Sequence, residues 1–200
     1  MKSTNSAILR RIRAHKQGWI FTTRDFLDLG ARSAVDKVLS RFNYDGTIRR
    51  IAHGIYDYPR IHKRLGILAP NPDAVAAALA GKTPGSRIQV SGARAANLLG
   101  LSNQVPAQLV YLTDGPTRQI KLGSQTIQLK RTAPSRFPSP GTPAGLALQA
   151  IRALGPNIDQ DLIVRQLSRA LKPSDKKELS KLSKYAPAWS HQLIKRLEGA

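Results

Sequence analysis

The sequence predicts an α+β protein: an N-terminal winged helix-turn-helix, then a mixed domain with a small β-sheet and a C-terminal helical region. Three observations carry that prediction. Periodicities through residue 58 run helix, strand, helix, turn, helix, hairpin. Short strand patterns cluster between residues 87 and 131, and from about residue 145 the pattern is helical. Basic side chains are in large excess, 32 Lys and Arg against 12 Asp and Glu, a formal net charge of +20.

The elements follow in order. A polar residue at or before Ser6 starts a helix that turns Ile8, Leu9 and Ile12 inward and Arg10, Arg11 and Arg13 outward, with Gly18 as its stop. Trp19-Ile20-Phe21 reads as a short strand. Thr23 is placed to cap a second helix containing Phe26 and Leu27, with Asp25 suited to the helix dipole, and Leu29-Gly30 makes the turn. A third helix spans residues 32–44, because Val35, Val38, Leu39 and Phe42 fall at i, i+3, i+4 and i+7. Asp45-Gly46 ends it, and strands over 47–52 and 55–58 join at His53-Gly54.

Residues 59–72 read as a linker, since proline interrupts regular structure there. The domains are therefore drawn as 1–65 and 66–200. A helix over 73–80 precedes a strand over 87–91, a short helix over 93–99 and a strand over 109–113. Segments 118–122 and 126–131 alternate around Gly123-Ser124 as a hairpin, and 132–143 is a proline-rich loop. Helices over 145–154, 159–171, 174–184 and 187–197 complete the chain, with Pro156 and Pro173 outside helices and Pro187 at a helix start.

The charge implies a polyanionic partner, of which nucleic acid is the usual one. Residues 1–65 hold 14 basic and 5 acidic side chains, residues 66–145 hold 8 and 2, and residues 146–200 hold 10 and 5. The excess is densest where the helix-turn-helix pattern lies. Cysteine is absent, which excludes disulfides, thiolate metal sites and cysteine nucleophiles. No signal-peptide pattern opens the chain, and its longest apolar run, 74–80, is too short to cross a bilayer. A cytoplasmic protein without membrane partner is expected.

A recognition helix needs an apolar back and a polar face that enters the major groove. Ser33, Lys37 and Ser40 supply that face, while Arg32 and Arg41 reach phosphates or guanine edges. Arg49 and Arg50 lie in the wing beside His53-Gly54, and the first helix adds Arg10, Arg11 and Arg13. A three-helix unit with a hairpin also serves as a protein-interaction module.

Residues 49–59, RRIAHGIYDYP, resemble the wing of AbiEi-type antitoxins, from bacterial abortive-infection toxin–antitoxin systems used in phage defence. Residues 91–102, SGARAANLLGLS, with Gln104-Val105-Pro106 and the strand Leu109–Thr113, resemble the opening of that family's C-terminal domain. The resemblance covers most of residues 1–155. It implies a winged helix that binds inverted repeats in its own promoter as a repressor, and a C-terminal domain that opposes a nucleotidyltransferase-type toxin. The C-terminal helices depart from longer family members. A plain transcriptional repressor without a toxin is the alternative, and the sequence fixes neither operator nor oligomeric state.

Catalysis finds little support, and neither enzyme activity, cofactor nor metal is expected. The histidines His15, His53, His62 and His191 lack HxH or HExxH spacing. No GxSxG elbow is present, and Gly81-Lys82-Thr83 lacks the upstream glycine of a phosphate loop. Asp114, Gln128 and Lys130 follow the order of a metal-dependent nuclease site, but position 128 carries an amide where a second carboxylate belongs. Asp114-Gly115-Pro116 is also good turn chemistry. A nucleic-acid-processing enzyme with a nuclease-like domain remains the weaker alternative.

Overall fold

A computed structural model describes residues 4–81, 83–104 and 106–199. Met1–Ser3, Lys82 of the Gly81-Lys82-Thr83 stretch and Val105 of Gln104-Val105-Pro106 lie outside the described residues. The protein is mixed α+β and divides into two units, residues 1–82 and 83–200.

The first unit begins with α1 (Thr4–Ala14), which buries Ile8 and Ile12. Gly18, at φ +94°, turns the chain into β1 (Ile20–Thr22), where Gly18 N–H donates to the Tyr58 carbonyl at 2.6 Å. The expected second helix is a single 3-10 turn, Thr23–Phe26. Thr22, not Thr23, occupies its cap, and the Asp25 carboxylate accepts from the Thr22 N–H at 2.7 Å. Only one turn forms because Leu29-Gly30 follows at once, leaving no length for a helical face.

The next helix, α2 (Arg32–Tyr44), has the expected bounds, and Val35, Val38, Leu39 and Phe42 are buried as one stripe. β2 (Arg49–Ala52) and β3 (Ile55–Asp57) form the hairpin. β3 is central in a three-stranded antiparallel sheet of order β1-β3-β2. Ile8, Ile12, Phe21, Phe26, Leu39 and Ile48 pack as the core between helices and sheet.

Part of the expected linker is structured. β4 (Ile61–His62) and β5 (Gly66–Ile67) form a second hairpin, with Gly66 at φ +69° supplying the left-handed position its three-residue loop needs. α3 (Pro72–Gly81) follows, its first N–H groups covered by the Asn71 side chain, which accepts from Asp73 N at 2.8 Å. α3 packs on β1 and β3, so the contacts place residues 66–81 with the first unit. The sequence had divided the chain at residues 65 and 66.

The second unit holds β6 (Ile88–Val90), α4 (Ala93–Leu98), β7 (Gln108–Thr113), β8 (Arg118–Leu122) and β9 (Gln125–Arg131). The sheet runs β6-β7-β9-β8, with β7 and β9 parallel and the outer pairs antiparallel. Alternation decides its faces: Leu109, Tyr111, Ile127 and Leu129 are buried, while Val110, Gln128 and Lys130 point the other way.

The helical remainder is α5 (Pro143–Leu154), α6 (Gln160–Ala170), α7 (Pro173–Lys181) and α8 (His191–Glu198). Thr142 caps α5 by accepting from Gly145 N at 3.0 Å, which starts the helix at Pro143, two residues earlier than expected. Pro173 lies inside α7, at the start where its missing N–H costs nothing, rather than outside a helix. The expected helix over 187–197 divides into a 3-10 turn, Ala188–Ser190, and α8. Leu148, Ile151, Leu167, Leu179 and Leu193 form the core of this bundle. The small side chains of Ala95, Ala96 and Ala150 let α4 lie close on α5.

Candidate nucleic-acid interface

The candidate surface is built on α2, because its buried stripe fixes which way the opposite face looks. Ser33, Lys37, Ser40 and Arg41 are all exposed. Tyr44 stands seven residues after Lys37 and four after Ser40, which puts it on the same helical face, and it is 92% exposed. The sequence reading missed Tyr44, although its spacing from Ser33, Lys37 and Ser40 was legible. The sequence pattern uses it only as the end of the helix.

Arg32 stands at the start of α2 with its Nε 3.7 Å from Asp36 Oδ2. The other carboxylate oxygen, Asp36 Oδ1, accepts from the Thr23 hydroxyl at 2.8 Å. Asp36 therefore joins the 3-10 turn to the flank of α2. A cleft of about 270 Å³ lies between Thr22, Thr23, Arg24, Leu27, Arg32 and the hairpin tip His53-Gly54. The hairpin tip and the first turn of α2 are thus neighbours.

The arginines expected at the interface divide into two sets. Arg49 is bound within the fold: its Nε and Nη2 donate to Asp57 at 3.0 and 2.6 Å, and Nη2 also reaches the Leu68 carbonyl at 3.1 Å. Asp57 is 1% exposed, so the pair compensates a buried charge. The two residues are directly opposite on β2 and β3, which sequence reading of a single strand does not reveal. Arg50 is exposed, with its Nη2 2.9 Å from His53 Nδ1. Its backbone N–H donates to Asn43 Oδ1 at 2.9 Å, tying β2 to the end of α2.

On α1, Arg10 and Arg13 are exposed. Arg11 is instead a clamp, donating to both Asp28 oxygens at 2.7 and 2.6 Å and to the Asp25 carbonyl at 2.6 Å. These hydrogen bonds hold the Asp28 carboxyl below its ordinary range and raise the Arg11 guanidinium. Arg11 and Arg49 are therefore committed to the fold, while Arg10, Arg13, Arg32, Ser33, Lys37, Ser40, Arg41 and Arg50 remain at the surface. The Asp45 carboxyl after α2 is also held low, because it accepts hydrogen bonds from the side chain and N–H of Thr47.

In the nuclease-like trio, Asp114 and Gln128 are each hydrogen-bonded to other residues. Asp114 accepts from Arg87 through both oxygens, Oδ1 from the backbone N–H and Oδ2 from Nε, each at 2.8 Å. Those bonds hold its carboxyl low. Gln128 Oε1 accepts from Gln108 Nε2 at 3.0 Å, and Lys130 is exposed on the same face of β9. Among the described residues no three His, Cys, Asp or Glu gather as metal ligands. No helix of the described residues is long and apolar enough to cross a membrane.

A family model described as a family of unknown function, DUF6088, matches residues 7–179. No curated protein matches the chain. Among solved structures, the crystal structure of the RV2827C protein from Mycobacterium tuberculosis is similar at 15% identity, with a TM-score of 0.46 over 96% of this chain and 81% of that one.

Proposed function

The chain belongs to the DUF6088 family, and within it we propose that residues 4–58 form a winged helix-turn-helix that docks α2 on duplex DNA. The observation that carries the reading is the α2 face. Ser33, Lys37, Ser40, Arg41 and Tyr44 are exposed on it, while the opposite side anchors the helix through Val35, Leu39 and Phe42. Hydroxyls, cations and an aromatic in that arrangement suit base edges and phosphates in a major groove. Arg32 lines the cleft beside the hairpin tip, Arg50 reaches His53 of that tip, and Arg10 and Arg13 add cations on α1. A net charge of +20 supplies the sequence-independent attraction.

The protein acts, on this reading, as a non-catalytic regulator of its own promoter. The likeness of residues 49–59 and 91–113 to AbiEi-type antitoxins extends the reading to a second role, opposing a nucleotidyltransferase-type toxin. That extension rests on the motif likeness alone.

The test is a titration of the purified protein against its own upstream DNA, followed by gel shift at several salt concentrations. Expected is a steep loss of affinity with salt, about 10³–10⁵ between 50 and 200 mM for about 6–10 phosphate contacts. Lys37→Ala with Arg41→Ala should flatten that dependence by about 2 in log–log slope. Unchanged binding in this variant refutes docking through α2. The toxin role is tested separately by co-expression with the product of the adjacent reading frame and size-exclusion chromatography.

A further inference from the structure

The β4–β5 hairpin exposes large apolar side chains beside unpaired cations, a combination that folding does not explain. Ile61 and Ile67 are directly opposite each other across the two strands, 66% and 61% exposed, and Leu65 is 73% exposed. Between Asp57 and Asp73 the chain has no acidic residue, while Arg60, Lys63 and Arg64 are exposed and enter no ion pair among the described residues. The hairpin is therefore an apolar pair with a cationic tip.

The hairpin is also hydrogen-bonded at both ends. At its base, Leu68 N–H donates to the Arg60 carbonyl at 2.9 Å, and Ile61 N–H to Gln17 Oε1 at 3.4 Å. The Leu68 carbonyl accepts from Arg49 Nη2, the guanidinium already fixed on Asp57. At the tip, His62 Nδ1 accepts from the N–H groups of Arg64 and Leu65 at 3.2 and 3.3 Å. A tip built this way presents Lys63 and Arg64 at little further ordering cost.

We propose that the β4–β5 hairpin is a second DNA-contacting arm that enters the minor groove of a duplex, with Lys63 and Arg64 on the phosphates and Ile61, Leu65 and Ile67 against sugars and base steps. The proposal rests on the DNA reading of the first unit and adds a site outside α2 and β2–β3. Charge complementarity selects this occupant. The minor groove concentrates negative potential that attracts Lys and Arg, and apolar side chains wedge between its base steps. A second copy of the chain would bring the same cations against them. An anionic membrane surface favours an aromatic-bearing amphipathic face, and residues 60–68 contain no aromatic ring of Phe, Tyr or Trp.

The experiment uses the full chain, a 30-base-pair mixed-sequence duplex containing an A·T tract, and fluorescence anisotropy across a salt series. Lys63→Ala with Arg64→Ala should lower the log–log salt slope by about 2 and the affinity by about tenfold. Ile61→Ser with Ile67→Ser should weaken binding at unchanged slope. In the wild type, prior saturation of the minor groove with netropsin should reproduce the loss, a measurement that needs no variant. Netropsin without effect on the wild type overturns the proposal, as does wild-type affinity and slope in both hairpin variants. Loss of sedimentation with phosphatidylserine vesicles at unchanged DNA binding would assign the hairpin to a membrane and also overturn it. Failure here, with binding still lost in Lys37→Ala/Arg41→Ala, leaves the α2 reading standing; a wild type that binds no duplex removes both.

Discussion

The Thr23 hydroxyl donates to Asp36 across 2.8 Å, and Arg32 approaches the same carboxylate from the other side at 3.7 Å. One acidic group thus seats the 3-10 turn against α2 and orients a cation at its first turn. It also places a negative charge at the edge of the face proposed to meet DNA. Asp36→Asn keeps an acceptor for Thr23 and removes that charge. The expected result is tighter DNA binding at low salt, by about two- to fivefold for a charge several ångströms from a phosphate. Thr23→Val should instead cost about 1 kcal/mol of stability by stranding one hydrogen-bond partner. Gel shifts and thermal melts of the two variants separate these effects; weaker binding in Asp36→Asn would exclude Asp36 from the interface edge.

Adjacent arginines on β2 should behave oppositely. Arg49 holds a carboxylate that is 1% exposed, whereas Arg50 is exposed beside His53. Arg49→Ala leaves Asp57 buried without its cation, and a loss of about 3 kcal/mol is expected, visible as a lower melting temperature. Arg50→Ala should melt as the wild type does and weaken DNA binding. If Arg49→Ala proves as stable as the wild type, the buried pair is not what fixes β2 against β3.

Tyr44 offers a contact of another kind. At 92% exposure it contributes nothing to the core, so Tyr44→Ala should change stability by no more than about 0.5 kcal/mol. Its ring carries no charge. Binding to upstream DNA should therefore weaken by a similar factor at every salt concentration, leaving the slope unchanged. A titration in which Tyr44→Ala and wild type superimpose would place the groove-facing surface nearer the start of α2.

Much of this organisation was legible in the residues themselves. The spacing of Val35, Val38, Leu39 and Phe42 gave α2 its bounds and its polar face, because a helix that buries one stripe must expose the other. β8 follows from the alternation of Ile120, Lys121 and Leu122 beside Gly123. Three things were not legible, each because it depends on chain segments meeting in space. The roles of Arg11 and Arg49 are set by Asp28 and Asp57, which lie 17 and 8 residues away. The β4–β5 hairpin has two residues in each strand, too few for any period to appear. The place of α3 depends on its packing against β1 and β3, so a proline-rich stretch before it looked like a boundary.

In the second unit, Gly145 occupies the first turn of α5, where the chain folds back on itself. A Cβ at this position would run into the backbone carbonyl of Ser139, an atom with no freedom to swing away. Gly145→Ala should therefore destabilise the protein, although alanine is the better helix former by about 1 kcal/mol. Forcing the loop aside should cost about 1–3 kcal/mol net. Denaturant unfolding of Gly145→Ala measures it, with Ala153→Gly, at an exposed position of the same helix, as a helix-propensity control. A stabilised Gly145→Ala would mean that the 138–142 segment yields freely.

The dependence of stability on pH follows from four aspartates. Asp28, Asp45, Asp114 and Asp161 are all held below their ordinary range, chiefly by hydrogen bonds from Arg11, Thr47, Arg87 and Arg196 respectively. A carboxyl whose folded-state pKa lies below its unfolded value binds its proton more readily when unfolded. Its stabilising contribution is complete above the unfolded value, about 3.9 for Asp, and fades as pH falls through the folded one. The melting temperature is therefore expected to be insensitive to these groups from pH 7 to about 5 and to drop below about pH 4. Arg87→Gln removes the main partner of Asp114 and should make the acid-side decline shallower, with the loss in melting temperature expressed at neutral pH instead. A decline equally steep in Arg87→Gln and wild type would show that Asp114 takes no part in the acid transition.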